Sequence, residues 1–192
     1  MGAPRTPDAR PMEYLTGSEL RRLFTVARQR NATHHLALVV GLWHGLRVSE
    51  ILAIRGVDVV DGQLAVKRLK RSKSTCQPIH IDSDPLFDES PLVEMARANP
   101  GRLFNFSRQR VDQFIKIYGR VAGVHPDKLH AHAVCKHSLA MQLWDKTQSL
   151  GQIQSYLGHR SASSTMCYLV EVDARKAQSV VQGMSIGEPL TK

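Results

Sequence analysis

The feature that most constrains the fold is a short stretch of strand pattern between two blocks of helix pattern. Over residues 57–81 apolar and polar side chains alternate and β-branched residues are common. Asp61-Gly62 lies within this stretch and favours a tight hairpin turn. We expect three strands, at residues 57–60, 63–69 and 78–81. The stretch therefore predicts a small antiparallel sheet inserted into a helical chain.

Helical patterns occupy the chain on both sides of this sheet. Thr16 and Glu19 have the spacing of a capping box, and apolar residues then recur at helical spacing to about Arg30. Further helices are predicted at residues 33–44, 48–54, 91–98, 108–121, 133–146, 150–157, 163–169 and 173–182. The order predicts an α+β fold that is mainly α: a helical domain with a small three-stranded antiparallel sheet.

The length of 192 residues fits one globular domain with short tails. Residues 1–12 are rich in proline and arginine, so we expect a disordered basic arm there. Residues 13–183 are the predicted folded domain, and residues 184–192 a flexible tail. The longest apolar stretch, residues 36–43, is too short to span a bilayer, and we expect no membrane partner.

The charge balance points to a polyanionic partner. Lys+Arg number 26 against 17 Asp+Glu, which gives a net charge of +9, and counterion release on neutralising phosphates would drive such binding. Charge alone does not separate an enzyme from a structural nucleic-acid-binding protein. Cys76, Cys135 and Cys167 lack CxxC spacing and favour a reducing, cytoplasmic compartment over a disulfide framework.

A tyrosine, Tyr168, stands nine residues after a histidine, His159, in a basic turn. A phenol near such a turn is a candidate nucleophile beside an anion site. The structural alternative is an amphipathic core tyrosine on a helix. Arg160, next to the histidine, is a candidate DNA contact.

Two other basic segments are candidates for phosphate chemistry. Arg47 lies at the junction of two predicted helices, where a guanidinium can bind two phosphate oxygens; an ion pair with Glu50 is the structural alternative. Lys70, on the predicted turn of the sheet, could deliver a proton to a leaving oxygen. Arg71 and Lys73, on the same turn, are expected to contact the DNA backbone.

Histidines are densest over residues 130–137. The spacing of two histidines and a cysteine would suit a zinc half-site, but no comparable second ligand pair follows, so we expect no metal. A histidine that accepts or positions a proton near phosphate fits better, and His132 is the candidate. His137 is expected to be packed and hydrogen-bonded.

Taken in chain order, these segments resemble the tyrosine recombinase (phage integrase) family. The resemblance is carried by GLRVSE at residues 45–50, RLK at 68–70, HAVCKHSLA at 132–140 and LGHRSASSTMCY at 157–168. It extends over residues 14–181, nearly the whole chain. Four motifs in the right order, with the tyrosine in register, make it specific.

The resemblance implies a site-specific DNA recombinase for integration, excision or inversion. Arg47 would bind the scissile phosphate, Lys70 would protonate the departing 5′ oxygen, and His159 would donate a hydrogen bond to the transition state. Tyr168 would form a 3′-phosphotyrosyl bond, and Glu50 would brace Arg47. Double-stranded DNA and further copies of this chain are the implied partners, and no metal or small-molecule cofactor is implied.

One box departs from the family pattern. Measured back from His159, Lys136 occupies the position of the family's second arginine, and His132 precedes it by four residues where the family has three. We prefer an alignment that keeps Lys136 and accepts a one-residue insertion; the alternative places Cys135 at the arginine position and loses the cation. A lysine keeps the charge without the planar two-point grip of a guanidinium.

Three functional hypotheses therefore stand. The leading one is a recombinase with Arg47, Lys70, His132, Lys136, His159 and Tyr168 as its catalytic set. The second is a catalytically impaired DNA-binding or regulatory protein on the same fold. A type IB topoisomerase is less favoured, because so small a chain has little to enclose a duplex. The chain also resembles short single-domain recombinases, or the catalytic half of a longer one.

Overall fold

The computed structural model describes residues 13–69 and 72–166. The predictions for residues 1–12, for Lys70 and Arg71, and for residues 167–192, which include Tyr168, lie outside the described residues.

The described chain is built of helices around one small sheet. The helices before the sheet are α1 Gly17–Arg30, α2 Ala32–Trp43 and α3 Val48–Ile51. The strands are β1 Val59–Val60, β2 Gln63–Val66 and β3 Thr75–Pro78. The later helices are α4 Ser90–Ala98, α5 Arg108–Val121, α6 Ser138–Thr147, α7 Leu150–Tyr156 and α8 Ser163–Met166. The predicted mainly α fold with a three-stranded antiparallel sheet is confirmed.

The capping box predicted at the start of α1 is present. The backbone N–H of Thr16 donates to Glu19 Oε2 at 2.8 Å, and the backbone N–H of Glu19 donates to Thr16 Oγ1 at 3.3 Å. Two otherwise unsatisfied backbone donors are thus paired, which fixes where the helix begins.

Helix α2 is the centre of the core. It is buried from His34 to Leu42, and α1, α3 and α6 pack around it. At Gly41 an added Cβ would lie 2.7 Å from both Cys135 Sγ and Ile51 Cδ1. A glycine is needed here because two other segments, α3 and the chain before α6, approach the helix backbone closely.

The sheet has the order β1-β2-β3, with both pairs antiparallel. Asp61 and Gly62 form the turn between β1 and β2 with positive φ angles of 49° and 71°, as a two-residue hairpin of this sequence requires. Leu64 and Val66 of β2 face the core, and Arg68 continues the same alternation beyond the strand.

The third strand lies earlier than the sequence pattern predicts. It spans Thr75–Pro78, with Gln77 opposite Leu64, whereas the expectation was residues 78–81. The inward position is a buried glutamine, so apolar alternation is absent, and Ile81 is 75% exposed. Pro78 ends the strand on the sheet edge, where a missing N–H costs no ladder bond.

The helix predicted at residues 133–146 begins differently from an ordinary α-helix. Residues His132–His137 form a π-helical turn that continues into α6. Such turns hold one more residue than an α-helical turn and are frequent at functional sites. Within the described part of the chain, no helix is long and apolar enough to cross a membrane.

Candidate active site

Two glycines bring three of the sequence motifs together. Gly45, just before Arg47, has φ +57°, and a Cβ there would overlap the side chain of Leu157. Gly158 has φ +66°, and a Cβ there would overlap the carbonyl oxygen of Lys73. The Lys73 N–H in turn donates to Gly158 O at 2.8 Å. The turns that carry Arg47, Lys73 and His159 therefore pack against one another, through close contacts that only a glycine at positions 45 and 158 permits.

Arg47 is oriented by a buried carboxylate. It is the N-cap of α3, and its Nη1 donates to Glu50 Oε1 at 2.8 Å while its backbone N–H donates to Glu50 Oε2 at 2.9 Å. The Arg47 side chain is 18% exposed, whereas that of Glu50 is fully buried. The ion pair considered as the alternative is thus present, and it holds the guanidinium at the solvent boundary, where an anion could reach it.

Glu50 also ties this turn to the sheet. Its Oε1 accepts a hydrogen bond from the backbone N–H of Leu69 at 2.9 Å, the residue before Lys70 in sequence. Burial alone would raise the pKa of Glu50, but hydrogen bonds from the backbone of Arg47 and Leu69 and the charge on Arg47 outweigh it and lower the pKa. The carboxylate is therefore ionised, and it links the turn of Arg47 to the backbone at Leu69.

Lys136 lies on the π-helical turn and is 1% exposed. The one-residue insertion of the preferred alignment with the family motif falls between His132 and Lys136, within this turn. Its neighbour Cys135 is fully buried, and burial raises the pKa of that thiol to about 12. A neutral thiol packed on α2 offers no cation to a phosphate, so the geometry favours Lys136 over Cys135 as the counterpart of the family arginine.

His159 is also buried and has a defined partner. It is 8% exposed, and its Nδ1 lies 2.9 Å from the hydroxyl oxygen of Thr165, which is itself fully buried. If the hydroxyl donates to Nδ1, the ring carries its proton on Nε2, the form that donates a hydrogen bond to an oxygen.

Positive charge converges on His159. Burial is the main cause that lowers the pKa of His159 to about 4, and the charges of Lys136, Arg47 and Arg68 lower it further, whereas Glu50 opposes them. The charges that act on this ring are those of three cations and one carboxylate, so the electrostatic field at His159 is net positive. An oxyanion or phosphate would be stabilised strongly there.

His132 belongs to the same cluster. His132 as a whole residue is exposed, but its imidazole is partly surrounded by protein. This partial burial is the main cause that lowers the pKa of the imidazole to about 4, and the charges of His137, Lys136 and Arg47 lower it further. His137 packs as expected: its Nδ1 bonds to Glu13 O at 2.9 Å, and its ring contacts that of His132 with centroids 5.1 Å apart. Near neutral pH the imidazole of His132 is therefore uncharged and can act as a proton acceptor.

Exposed basic groups surround the cluster. Lys73 and Arg160 are both exposed. An open groove of about 700 Å³ lies beside the arginine turn and is lined by Val48, Arg108, Gln109, Asp112, Gln113 and Ala131. Arg108 and the two glutamines of the lining are chemically suited to phosphates and base edges, and the carboxylate of Asp112 is paired with Lys116 at 2.8 Å.

Two other tyrosines are occupied by structural contacts. Tyr118 OH lies 2.7 Å from His34 Nδ1, and Tyr156 OH donates to Trp43 O at 2.8 Å. Burial is the main cause that raises the pKa of Tyr156. Neither phenol is placed to attack a substrate.

Sequence reasoning missed two residues of this site. Arg68 appeared only as a letter of the RLK motif, and Thr165 had no role. The signal for Arg68 was available, because it occupies the inward register after Leu64 and Val66, where a charged residue is unusual. No comparable signal marks Thr165, whose contact with His159 depends on the turn between them.

Comparison with known proteins places these features in a family. The model described as "Phage integrase family" matches residues 13–175. Type 1 fimbriae regulatory protein FimE of Escherichia coli K12 is 28% identical over 93% of this chain and 96% of its own length. Tyrosine recombinase XerA of Pyrococcus furiosus is 30% identical over 97% of this chain and 66% of its own.

A solved structure shows the same fold. The post-cleavage complex of XerH site-specific recombinase bound to palindromic difH substrate superposes with a TM-score of 0.71 at 18% identity. The match covers 92% of this chain, which spans 55% of the XerH chain.

Proposed function

The chain belongs to the phage integrase family of tyrosine recombinases, and we propose that it is a site-specific recombinase that cleaves and rejoins double-stranded DNA through Tyr168. The observation that carries the proposal is the packing of the turns of Arg47, Lys73 and His159 against one another at Gly45 and Gly158, with the Arg47 guanidinium held at the solvent boundary by Glu50. A cluster of buried and half-buried cations with one ionised carboxylate is suited to receive an anion, and the net charge of +9 favours a polyanion such as DNA.

The proposed reaction is a transesterification. The hydroxyl oxygen of Tyr168 attacks the scissile phosphorus, the bond to the 5′ oxygen breaks, and a 3′-phosphotyrosyl bond forms. The phenol gives its proton to a base, for which uncharged His132 is the candidate, and the departing 5′ oxygen gains a proton from Lys70. Attack of a 5′ hydroxyl on the phosphotyrosine reverses these steps and reseals a strand, so the bond energy is conserved without a nucleotide cofactor.

The described residues supply the field for this step. Arg47, held by Glu50, would bind a nonbridging phosphate oxygen. Lys136, on the π-helical turn, would add a second positive charge. His159, with its Nδ1 on Thr165, would donate a hydrogen bond to the pentavalent transition state. Uncharged His132 would accept or position a proton.

Double-stranded DNA is the proposed partner, together with further copies of the chain. The exposed Lys73 and Arg160 and the groove that begins at Val48 would contact the duplex around the scissile phosphate. XerH is likewise described as bound to its difH substrate. Exchange of strands between two sites needs a nucleophile at each cleaved strand, so we propose assembly of several protomers on DNA.

Covalent trapping tests the proposal. A duplex carrying the cognate site and a nick just beyond the scissile phosphate releases a short fragment on cleavage and cannot be resealed. Wild-type protein should form an adduct that resists denaturing electrophoresis, Tyr168→Phe should form none, and Tyr14→Phe should match wild type. Specific DNA binding by wild type without any adduct would contradict the recombinase assignment.

Lys136 favours a second candidate, a DNA-binding or regulatory protein with impaired cleavage. A lysine lacks the two-point grip of the family arginine. This candidate predicts tight site binding, little or no adduct with wild type, and increased cleavage in Lys136→Arg. The recombinase proposal predicts adduct with wild type and no gain from that substitution.

A further inference from the structure

Arg68 is an extensively hydrogen-bonded charged group near the site. Its side chain is fully buried. Its guanidinium donates to His44 O at 2.8 Å, Gly45 O at 3.2 Å, Thr75 Oγ1 at 3.1 Å and Gln77 Oε1 at 3.4 Å, and lies 3.7 Å from Glu50 Oε2. One side chain thus contacts the end of α2, strand β3 and the carboxylate that holds Arg47.

We propose that Arg68 is a positioning residue for the reaction, which fixes the turn of Arg47 against the sheet and against the turn of His159. The inference rests on the proposed function for its catalytic consequence. Its structural half, the fixing of Arg47 and Leu69, can be measured without any activity.

Arg68 contacts the chain close to two of the predicted catalytic residues, Arg47 and His159. Gly45 O is two residues before Arg47, so a guanidinium bonded to it restrains the direction in which the arginine turn leaves α2. The Arg68 Cγ would be 3.5 Å from a Cβ added at Gly158, next to His159. Arg68 is itself two residues before Lys70 in the sequence. Movement of this one side chain would therefore displace the turns of Arg47 and His159 together.

The chemistry explains why an arginine is needed. A guanidinium offers five donors in a rigid fork, whereas an ammonium offers three on one nitrogen and cannot span the carbonyls and both β3 side chains. Burial lowers the pKa of Arg68, and Glu50 opposes that shift. Retaining a buried cation costs desolvation energy, which an apolar side chain continuing the pattern of Val66 would avoid.

The polar network extends further into the core. Gln77 Oε1 also accepts from His44 Nδ1 at 2.9 Å, and Gln77 Nε2 donates to Tyr156 O at 2.8 Å. Since Nε2 is committed to a carbonyl, Oε1 is the acceptor for both His44 and Arg68. The orientation of Arg68 is therefore set by partners on three elements and not by the ion pair alone.

Hydrogen exchange tests the positioning directly. The Arg47 and Leu69 amides both donate to Glu50, at 2.9 Å each. In Arg68→Met these two amides should exchange at least tenfold faster than in wild type, while the α2 amides of Val39 and Val40 change little. Arg22→Met is the matched control, because Arg22 Nε also bonds a distant carbonyl, Ala122 O at 2.9 Å. Equal acceleration at all four amides, or none beyond the control, would overturn the proposal.

A double-mutant cycle tests the catalytic consequence. On the nicked duplex, Arg68→Met should reduce the single-turnover cleavage rate at least thirtyfold with DNA affinity within threefold of wild type. In an Arg47→Lys background the same change should cost at most a third of that loss, because much of its effect passes through Arg47 and the rest through the turn of His159. The full loss in both backgrounds would overturn action through Arg47.

A charge-conserving variant separates the effect of the guanidinium's hydrogen bonds from the effect of its positive charge. Arg68→Lys should recover less than a tenth of the lost rate; full recovery would show that charge alone suffices and would overturn the proposed role of the fork. If wild type forms no adduct, the proposed function fails, and the exchange experiment still decides whether Arg68 fixes the site.

Discussion

Replacing Glu50 by glutamine should destabilise the protein far more than its size suggests. Glu50 is 2% exposed and accepts from the Arg47 backbone, the Arg47 guanidinium and the Leu69 backbone, with Arg68 3.7 Å away. Glutamine keeps one acceptor oxygen but replaces the other with an amide NH₂ group. That group is a donor, and it would face the N–H donors that now bind the carboxylate. It also leaves the buried charge of Arg68 without its carboxylate.

The magnitude follows from these contacts. Removing one partner of a buried, hydrogen-bonded ion pair costs about 3–5 kcal/mol, and one lost charge-assisted hydrogen bond accounts for about 1.5–3 kcal/mol of that. With a urea m value of about 2 kcal/mol per molar, the unfolding midpoint should fall by roughly 2 M. Urea denaturation followed by circular dichroism measures the shift.

Glu94→Gln is the matched control. Glu94 pairs with Arg97 at 2.6 Å, but both side chains are 71% exposed, so its loss should barely move the midpoint. Equal midpoint shifts for Glu50→Gln and Glu94→Gln would refute the reasoning, because the carboxylate would then not link the arginine turn to the sheet.

Three further predictions follow from the same contacts. Gly158→Ala should lower the free energy of unfolding by at least about 2 kcal/mol and slow cleavage, since it adds a steric overlap to a positive φ; Gly123→Ala, with φ +65° and nothing within 4 Å of the added Cβ, should cost only the backbone term in urea denaturation. Thr165→Val should slow cleavage about tenfold at unchanged DNA affinity in binding assays, because it frees His159 to carry its proton on either nitrogen; unchanged cleavage would argue against that contact. The protein should also lose stability on acidification. The pKa of His159 falls from 6.5 to about 4 on folding, so the unfolded state takes up the proton first, and up to about 3 kcal/mol is lost between those pH values and none above them. His159→Gln should reduce that part of the pH dependence of the urea midpoint without abolishing it, because the pKa of His132 is lowered to about 4 as well; an unaltered profile would contradict the assignment.

The sequence predicted the fold well where local chemistry and packing agree. The capping box at Thr16 and the Asp61-Gly62 hairpin have local causes, and both occur as expected. The third strand was misplaced because its inward residue, Gln77, serves the buried network around Arg68. A polar residue chosen for a distant partner does not show apolar alternation.

The site was predictable only in part. The motifs identified Arg47, Lys136 and His159 as candidates, and the charges of Arg47 and Lys136 both lower the pKa of His159. What joins them, the close approaches at Gly45 and Gly158, depends on segments far apart in the chain and leaves no mark on local periodicity. The catalytic assignments of all six residues, Arg47, Lys70, His132, Lys136, His159 and Tyr168, stay predictions.

Mapping the covalent attachment tests the central claim most directly. The adduct formed on a nicked cognate duplex would be digested with nuclease and trypsin, and the nucleotide-bearing peptide sequenced by mass spectrometry. Cleavage after Arg160 and Arg175 leaves residues 161–175, in which Tyr168 is the only tyrosine. We predict a 3′-nucleotide on Tyr168 in this peptide. A nucleotide on Tyr14, Tyr118 or Tyr156, or no modified peptide from protein that binds the site, would contradict the account.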